Sequence, residues 1–179
     1  MNTALLVIDV QQGLCEGDHA AADCAQVIAR INQVSSKARA AGAAVIFVQH
    51  QSSAGYLEVG TPAWQLADGL HVALTDLCLP KTTPDAFHLT ELQAVLTRLG
   101  VTNLVICGMH TEFCVDTTTR RALALGYPVV LVADAHTTEG TDVLSASQII
   151  AHHNTTLCNI TSFGPRVRTV LAADLRIEA

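Results

Sequence analysis

Three residues stand apart in this chain because their types could share one reaction: Asp9, Lys81 and Cys114. A cysteine thiolate is a strong nucleophile, a carboxylate can take and return a proton, and an ammonium can hold negative charge beside both. Such a set suits acyl transfer. Cys114 would attack a carbonyl carbon, while Asp9 would receive the thiol proton and later give it to a leaving amine. Lys81 is expected to lower the pKa of the thiol. A free cysteine also has a blander fate as a small buried hydrophobe, and the segment around Cys114 alone leaves both readings open.

The elements that would position these residues follow from the apolar pattern. Residues 104–107 form a wholly apolar run suited to a strand buried on both faces, ended by Gly108, and residues 114–125 read as a helix stopped by Gly126. Cys114 then sits where a strand hands over to a helix, and the positive end of the helix dipole there favours thiolate. Residues 4–10 read as a first strand, apolar except for Asp9 near its carboxyl end. A short third strand over residues 76–79 runs into Pro80, Lys81 and Pro84. Asp9, Lys81 and Cys114 thus lie at the carboxyl ends of three strands, the rim where open α/β sheets bind ligands.

Between these anchors the pattern predicts a helix over residues 20–41 capped by Asp18, and a second strand over 43–49. Thr90 and Gln93 form a capping-box pattern opening a helix that Gly100 ends. A fifth strand over 129–133, a helix over 141–153, a sixth strand over 157–160 and a last short helix over 164–175 complete the reading. Residues 50–75 are irregular, rich in Gly and Ser, and carry Tyr56, Trp64, His50 and His71. They read as a flap over the pocket with a helical turn near 62–67, because long loops in compact domains are usually functional. Neither histidine is singled out, since a lone His is more often structural or at the surface. Strand and helix alternate throughout, so the expected fold is a single-domain α/β, three-layer α-β-α sandwich. Its six-stranded sheet would be mostly parallel, doubly wound and Rossmann-like.

Composition limits the partners. The 179 residues are 50% hydrophobic and only 15% charged, which suits one domain with a large core. A net charge of -6, with no basic run longer than Arg120-Arg121, argues against nucleic acid and anionic membranes. A small-molecule ligand is expected. The first ten residues lack a basic n-region, no apolar stretch reaches a membrane span, and the six cysteines show no C-x-x-C or dense clustering, so a soluble cytoplasmic protein is expected. Neither G-x-G-x-x-G nor G-x-x-x-x-G-K-[ST] occurs, and no cofactor is expected.

The same residues resemble the isochorismatase-like cysteine hydrolases, which include nicotinamidases and carbamoylsarcosine amidohydrolase. The likeness spans nearly the whole chain and rests on LLVIDVQ with Asp9, PKTTPDAF with Lys81 and Phe87, LVICGMHTEFCVDTTTRRALALGYPVVLVADA with Cys114, and SASQIIAHHN. It implies a catalytic triad of Asp9, Lys81 and Cys114, a cis Met109–His110 peptide bond, an oxyanion hole from the N–H groups of His110 and Cys114, and a homodimer or homotetramer. Nicotinamidases carry an Asp-Trp-His metal motif after the second strand, where this chain has Gln49-His50-Gln51, so no metal site is expected. The vinyl-ether isochorismatases lack the cysteine. A metal-free amidase acting on a small amide or ureido C–N bond is therefore the implied activity. Leu14 stands where many members have an aromatic, suggesting a differently shaped pocket, with Trp64, Phe87, Met109, His110 and Phe113 as candidate walls. A thiol redox sensor and a non-catalytic binding domain are the competing classes.

Overall fold

The computed structural model describes residues 2–177. Its elements run β1 (Thr3–Ile8), α1 (Gln12–Cys15), α2 (Cys24–Ala40), β2 (Ala44–His50), β3 (Leu77–Lys81), α3 (Leu92–Arg98), β4 (Asn103–Met109), α4 (Asp116–Ala124), β5 (Val129–Thr137), α5 (Ala146–Cys158) and β6 (Val167–Val170). The six strands form one parallel sheet in the order β3-β2-β1-β4-β5-β6. Strand order reverses between β1 and β4, and in such sheets the crevice outside the carboxyl ends at that point receives ligands.

Alternation along β1 shows why the strands are apolar without interruption. Ala4, Leu6 and Ile8 enter a core shared with α3, α4 and α5, whereas Leu5 and Val7 enter the other, shared with α2. Val27, Ile28, Ile31, Val34 and Ala38 supply the α2 stripe. A strand covered on both faces has no position for a polar side chain until it emerges at its end. Gly108 has the least room of the glycines for a side chain: a Cβ there would lie 2.1 Å from the Ile8 carbonyl oxygen, and its φ of 122° suits glycine alone. It does not end β4, which continues through Met109.

The carboxyl-terminal third differs from the sequence expectation. Residues 157–160 are not a strand: α5 runs to Cys158, and Leu157 is buried in the α3–α5 core. The sixth strand is Val167–Val170, within the segment expected to be helical. Short apolar runs carry little period information, so helix end and edge strand exchanged identities. Asp18 does not cap α2, which begins at Cys24 with Asp23 at the cap position. The Thr90 pattern also fails to close into a capping box, because the Gln93 amide donates to the Tyr127 hydroxyl at 3.0 Å. A complete box forms instead between Ser145 and Gln148 at the start of α5. Among the described residues no helix is long and apolar enough to cross a membrane.

Candidate active site

Four strand ends bring their side chains to one point on the carboxyl rim. Asp9 leaves β1 with φ 51°, a left-handed conformation that aspartate tolerates, while its N–H donates to the Val48 carbonyl of β2 at 2.8 Å. The β2–β3 register sets His50 opposite Lys81. From β4 the chain passes through a cis Met109–His110 peptide bond into a single π-helical turn, Thr111–Val115, which carries Cys114 and leads into α4. The N–H groups of Phe113 and Val115 both donate to the His110 carbonyl and shape that turn.

Lys81 is the hub. Its ammonium lies 2.6 Å from Asp9 Oδ2, 3.2 Å from Cys114 Sγ, 3.2 Å from His50 Nδ1 and 3.0 Å from the Thr83 carbonyl. The Lys81 and Asp9 side chains are 0% and 2% exposed, so this is a buried ion pair that depends on its hydrogen bonds for compensation. Asp9 Oδ1 has no other hydrogen-bond partner among the described residues. It is therefore available to accept a proton from the adjacent thiol.

The electrostatics correct one expectation. Burial, together with the Asp9 carboxylate, pushes the Cys114 thiol up to about 12, outweighing the opposing pull of Lys81. The cysteine rests as a thiol, not a thiolate, because the ammonium beside it is matched to Asp9 and water is largely excluded. His50 is pushed down by burial and by Lys81, so its imidazole is neutral and its Nδ1 can accept from the ammonium. Asp9, His50 and Cys114 offer ligand atoms within 4.8 Å of one another, a set that could hold a metal. The Lys81 ammonium contacts all three, so the residues do not fit a metal ion there.

Beside the thiol opens a cavity of about 210 Å³ whose apolar wall is Leu14, Leu57 and Phe113 and whose polar wall is Asp9, His50, Tyr56 and His110. Of the five residues expected to line it, His110 and Phe113 do. Trp64, Phe87 and Met109 do not. The Trp64 carbonyl is held by the amides of Gln11 and Gln49 at 2.8 and 2.7 Å, anchoring the loop away from the thiol. Phe87 is buried and stacks on Tyr127 with centroids 6.2 Å apart. Met109 is fully buried in the α2 core. The 50–75 segment does contribute, through Tyr56 and Leu57, and its helical turn is the 3-10 turn Pro62–Trp64.

Two supports lay beyond the sequence reading. The Gln11 amide donates to the His50 carbonyl at 2.9 Å and its oxygen accepts from the His50 N–H at 2.9 Å, locking the end of β2 to the turn after Asp9. His136, on β5 and 1% exposed, accepts at Nδ1 from the Thr111 hydroxyl (2.9 Å) and donates from Nε2 to Asn154 Oδ1 (3.1 Å). The Asn154 amide nitrogen donates to the Ala133 carbonyl, which fixes the amide orientation and hence the tautomer. This chain of bonds holds the π turn that presents Cys114. A buried histidine in a strand was the available signal, but only the fold shows its partner.

The sequence and the fold both have known relatives. Residues 3–154 match the Isochorismatase domain, and the chain belongs to the isochorismatase family. It is 40% identical over 136 residues to a streptothricin hydrolase of Streptomyces noursei, covering 75% of this chain but 49% of that protein. The chain thus spans about half the length of the first curated relatives it matches. A ureidoacrylate amidohydrolase of Stutzerimonas stutzeri (strain A1501) is 32% identical over 170 residues, 74% of this chain and 68% of that protein. A crystal structure of an isochorismatase family protein superposes with a TM-score of 0.86 at 36% identity, covering 94% of this chain and 98% of that one.

Proposed function

We propose that the protein is a cysteine hydrolase that cleaves a C–N bond of a small amide or ureido compound through a thioester on Cys114. The carrying observation is the Lys81 ammonium, which touches both Asp9 and Cys114 in a buried cluster. Relatives named for amide and ureido hydrolysis support the reaction class. With the substrate carbonyl against Sγ, the thiol proton passes to Asp9 as the C–S bond forms. Lys81 stabilises the negative charge that moves between sulfur and carboxylate. The tetrahedral oxyanion would receive the N–H groups of His110 and Cys114. Asp9 then protonates the leaving nitrogen, the C–N bond breaks, and ammonia or an amine departs. Water, deprotonated by Asp9, attacks the thioester, releasing the carboxylic acid and restoring the thiol.

The raised thiol pKa fits this scheme, because proton transfer to Asp9 need occur only with substrate in place. It speaks against a redox sensor, which works through an accessible thiolate of low pKa. Cys107 is a poor resolving partner, being fully buried on β4 with its thiol directed at the Leu6 carbonyl. The working unit in this reading is a homodimer or homotetramer located in the cytoplasm. Phe113, 56% exposed at the pocket mouth, offers an aromatic surface for a second copy to cover. Ammonia release from a panel of small amides and ureido compounds, compared with Cys114→Ala, tests the activity. The reading requires turnover in the wild type and none in the variant, and equal turnover in both would refute it.

A further inference from the structure

A guanidinium or an unpaired ammonium is the group that offsets the full charge of a substrate carboxylate. The cavity beside Cys114 has no arginine in its wall. No lysine lines it either: Lys81 is wholly buried, and its ammonium is already shared among Asp9, His50, Cys114 and the Thr83 carbonyl. The Tyr56 hydroxyl is donated to the Gly13 carbonyl. His50 and His110 are both pushed down by burial and stand neutral at pH 7.

Fixed charge around the cavity has the opposite sign. Glu112 lies two residues before the nucleophile. One of its oxygens accepts from the Thr138 hydroxyl at 2.8 Å, and the other is buried without a hydrogen-bond partner among the described residues. Glu139 pairs with the exposed His19 at 2.7 Å. The fields of both acids reach His110, and that of Glu139 also reaches Tyr56. With Asp9 and Lys81 cancelling and Glu139 set against His19, the unpaired carboxylate of Glu112 leaves the balance at the pocket negative.

We propose that this pocket selects amides that are neutral or positively charged and carry an apolar flank, and excludes substrates bearing a carboxylate beside the scissile bond. The inference rests on the Cys114 hydrolase reading and adds the substrate class to it. Leu14, Leu57 and Phe113 line the cavity and receive the apolar flank. Glu112, outside the lining but on the same turn as Phe113 and Cys114, with Glu139 next to its partner Thr138, attracts a cation and repels an anion. At about 210 Å³ the cavity is smaller than the range for drug-sized ligands, so the group it encloses is small.

Thiosulfonates of one size and opposite charge test the proposal without knowledge of the substrate. A thiolate attacks the sulfenyl sulfur, forms a mixed disulfide and expels methanesulfinate. Labelling of Cys114 by 2-aminoethyl, 2-sulfonatoethyl and methyl methanethiosulfonate is followed by peptide mass spectrometry, each rate being divided by that for free 2-mercaptoethanol. The cationic reagent is expected to outpace the anionic one by at least about tenfold after this correction, the scale of electrostatic steering into a charged cleft. Joint Glu112→Gln and Glu139→Gln replacement should bring the ratio back towards one. A corrected ratio of one or below in the wild type, with Cys114 labelled by the neutral reagent, would overturn the charge selectivity and leave the nucleophile standing. Failure of all three reagents at Cys114 in protein that also releases no ammonia from the amide panel would instead remove the hydrolase reading, and this inference with it.

Discussion

The two ends of the sheet each carry a cavity, and the larger one is at the wrong end. At the amino-terminal edge, about 600 Å³ opens among the first residues of β1, β4, β5 and β6, with Arg166, Arg168 and Arg176 on its rim. All three arginines are exposed, so their charges remain hydrated. At the carboxyl rim only about 210 Å³ opens, but the Asp9 and Lys81 beside it are removed from water and bonded to one another. Volume measures how badly a surface is filled. Buried charge measures what the fold bears a cost to hold in place, and that cost is the stronger mark of chemistry.

The sharpest way to break this contrast is to unpair the buried charges. Lys81→Met leaves Asp9 buried without its cation and should cost about 3–5 kcal/mol in urea unfolding, while lowering turnover at least about a thousandfold. A variant that loses neither would reduce the cluster to ordinary packing. Asp9→Asn separates two roles that Lys81→Met confounds. It removes a group that raises the Cys114 pKa and keeps the one that lowers it. Alkylation of Cys114 by iodoacetamide at pH 7 should therefore quicken by about threefold for each unit of pKa relieved, the larger thiolate fraction outweighing the lower nucleophilicity of each thiolate, while hydrolysis stops. Slower alkylation would contradict the electrostatic account of the thiol.

A smaller effect should appear in the support beneath the site. Burial, partly offset by the bond to Asn154, holds His136 down from 6.5 to about 4. Its folded pKa lies below its unfolded one, so the unfolded chain takes up the proton first as pH falls. Stability attributable to this group is full above 6.5 and is lost progressively as pH drops through about 4, by roughly 3 kcal/mol in all. Urea midpoints measured across that window should show the loss, and His136→Gln should flatten it. Smallest of all is the change expected at the opposite edge. Arg168→Ala should leave turnover unaltered and stability within about 0.5 kcal/mol, and a loss of activity there would transfer importance to the larger cavity.

The sequence was most informative where burial is complete and least where it is partial. Continuous apolar runs made β1 and β2 readable, and Asp9 and Lys81 stood out because a polar residue at the end of such a run has no structural use. β6 was hidden because VRTV, with the adjacent Arg168 and Thr169 both exposed, shows neither an apolar run nor a strict alternation, and an edge strand need not be apolar. His50 shares the rim with the other three, but a lone histidine acquires meaning only from the register that sets it against Lys81. The thiol pKa was misjudged for the same reason. Spacing placed Lys81 near Cys114, whereas the sign of the shift depended on how far both were removed from water and on which partner the ammonium already held. Trp64 was expected in the pocket because it lies in the 50–75 segment, but Gln11 and Gln49 capture its carbonyl, and Tyr56 and Leu57 line the cavity instead.

The central claim is a covalent acyl enzyme on Cys114, and intact-protein mass spectrometry during brief mixing with small neutral and cationic amides tests it most directly. The account predicts a mass increase equal to the acyl group on the wild type, mapped by peptide analysis to Cys114 and absent from Cys114→Ala. Turnover of the same amides without any adduct on rapid acid quench, or with an adduct that persists in Cys114→Ala, would contradict it.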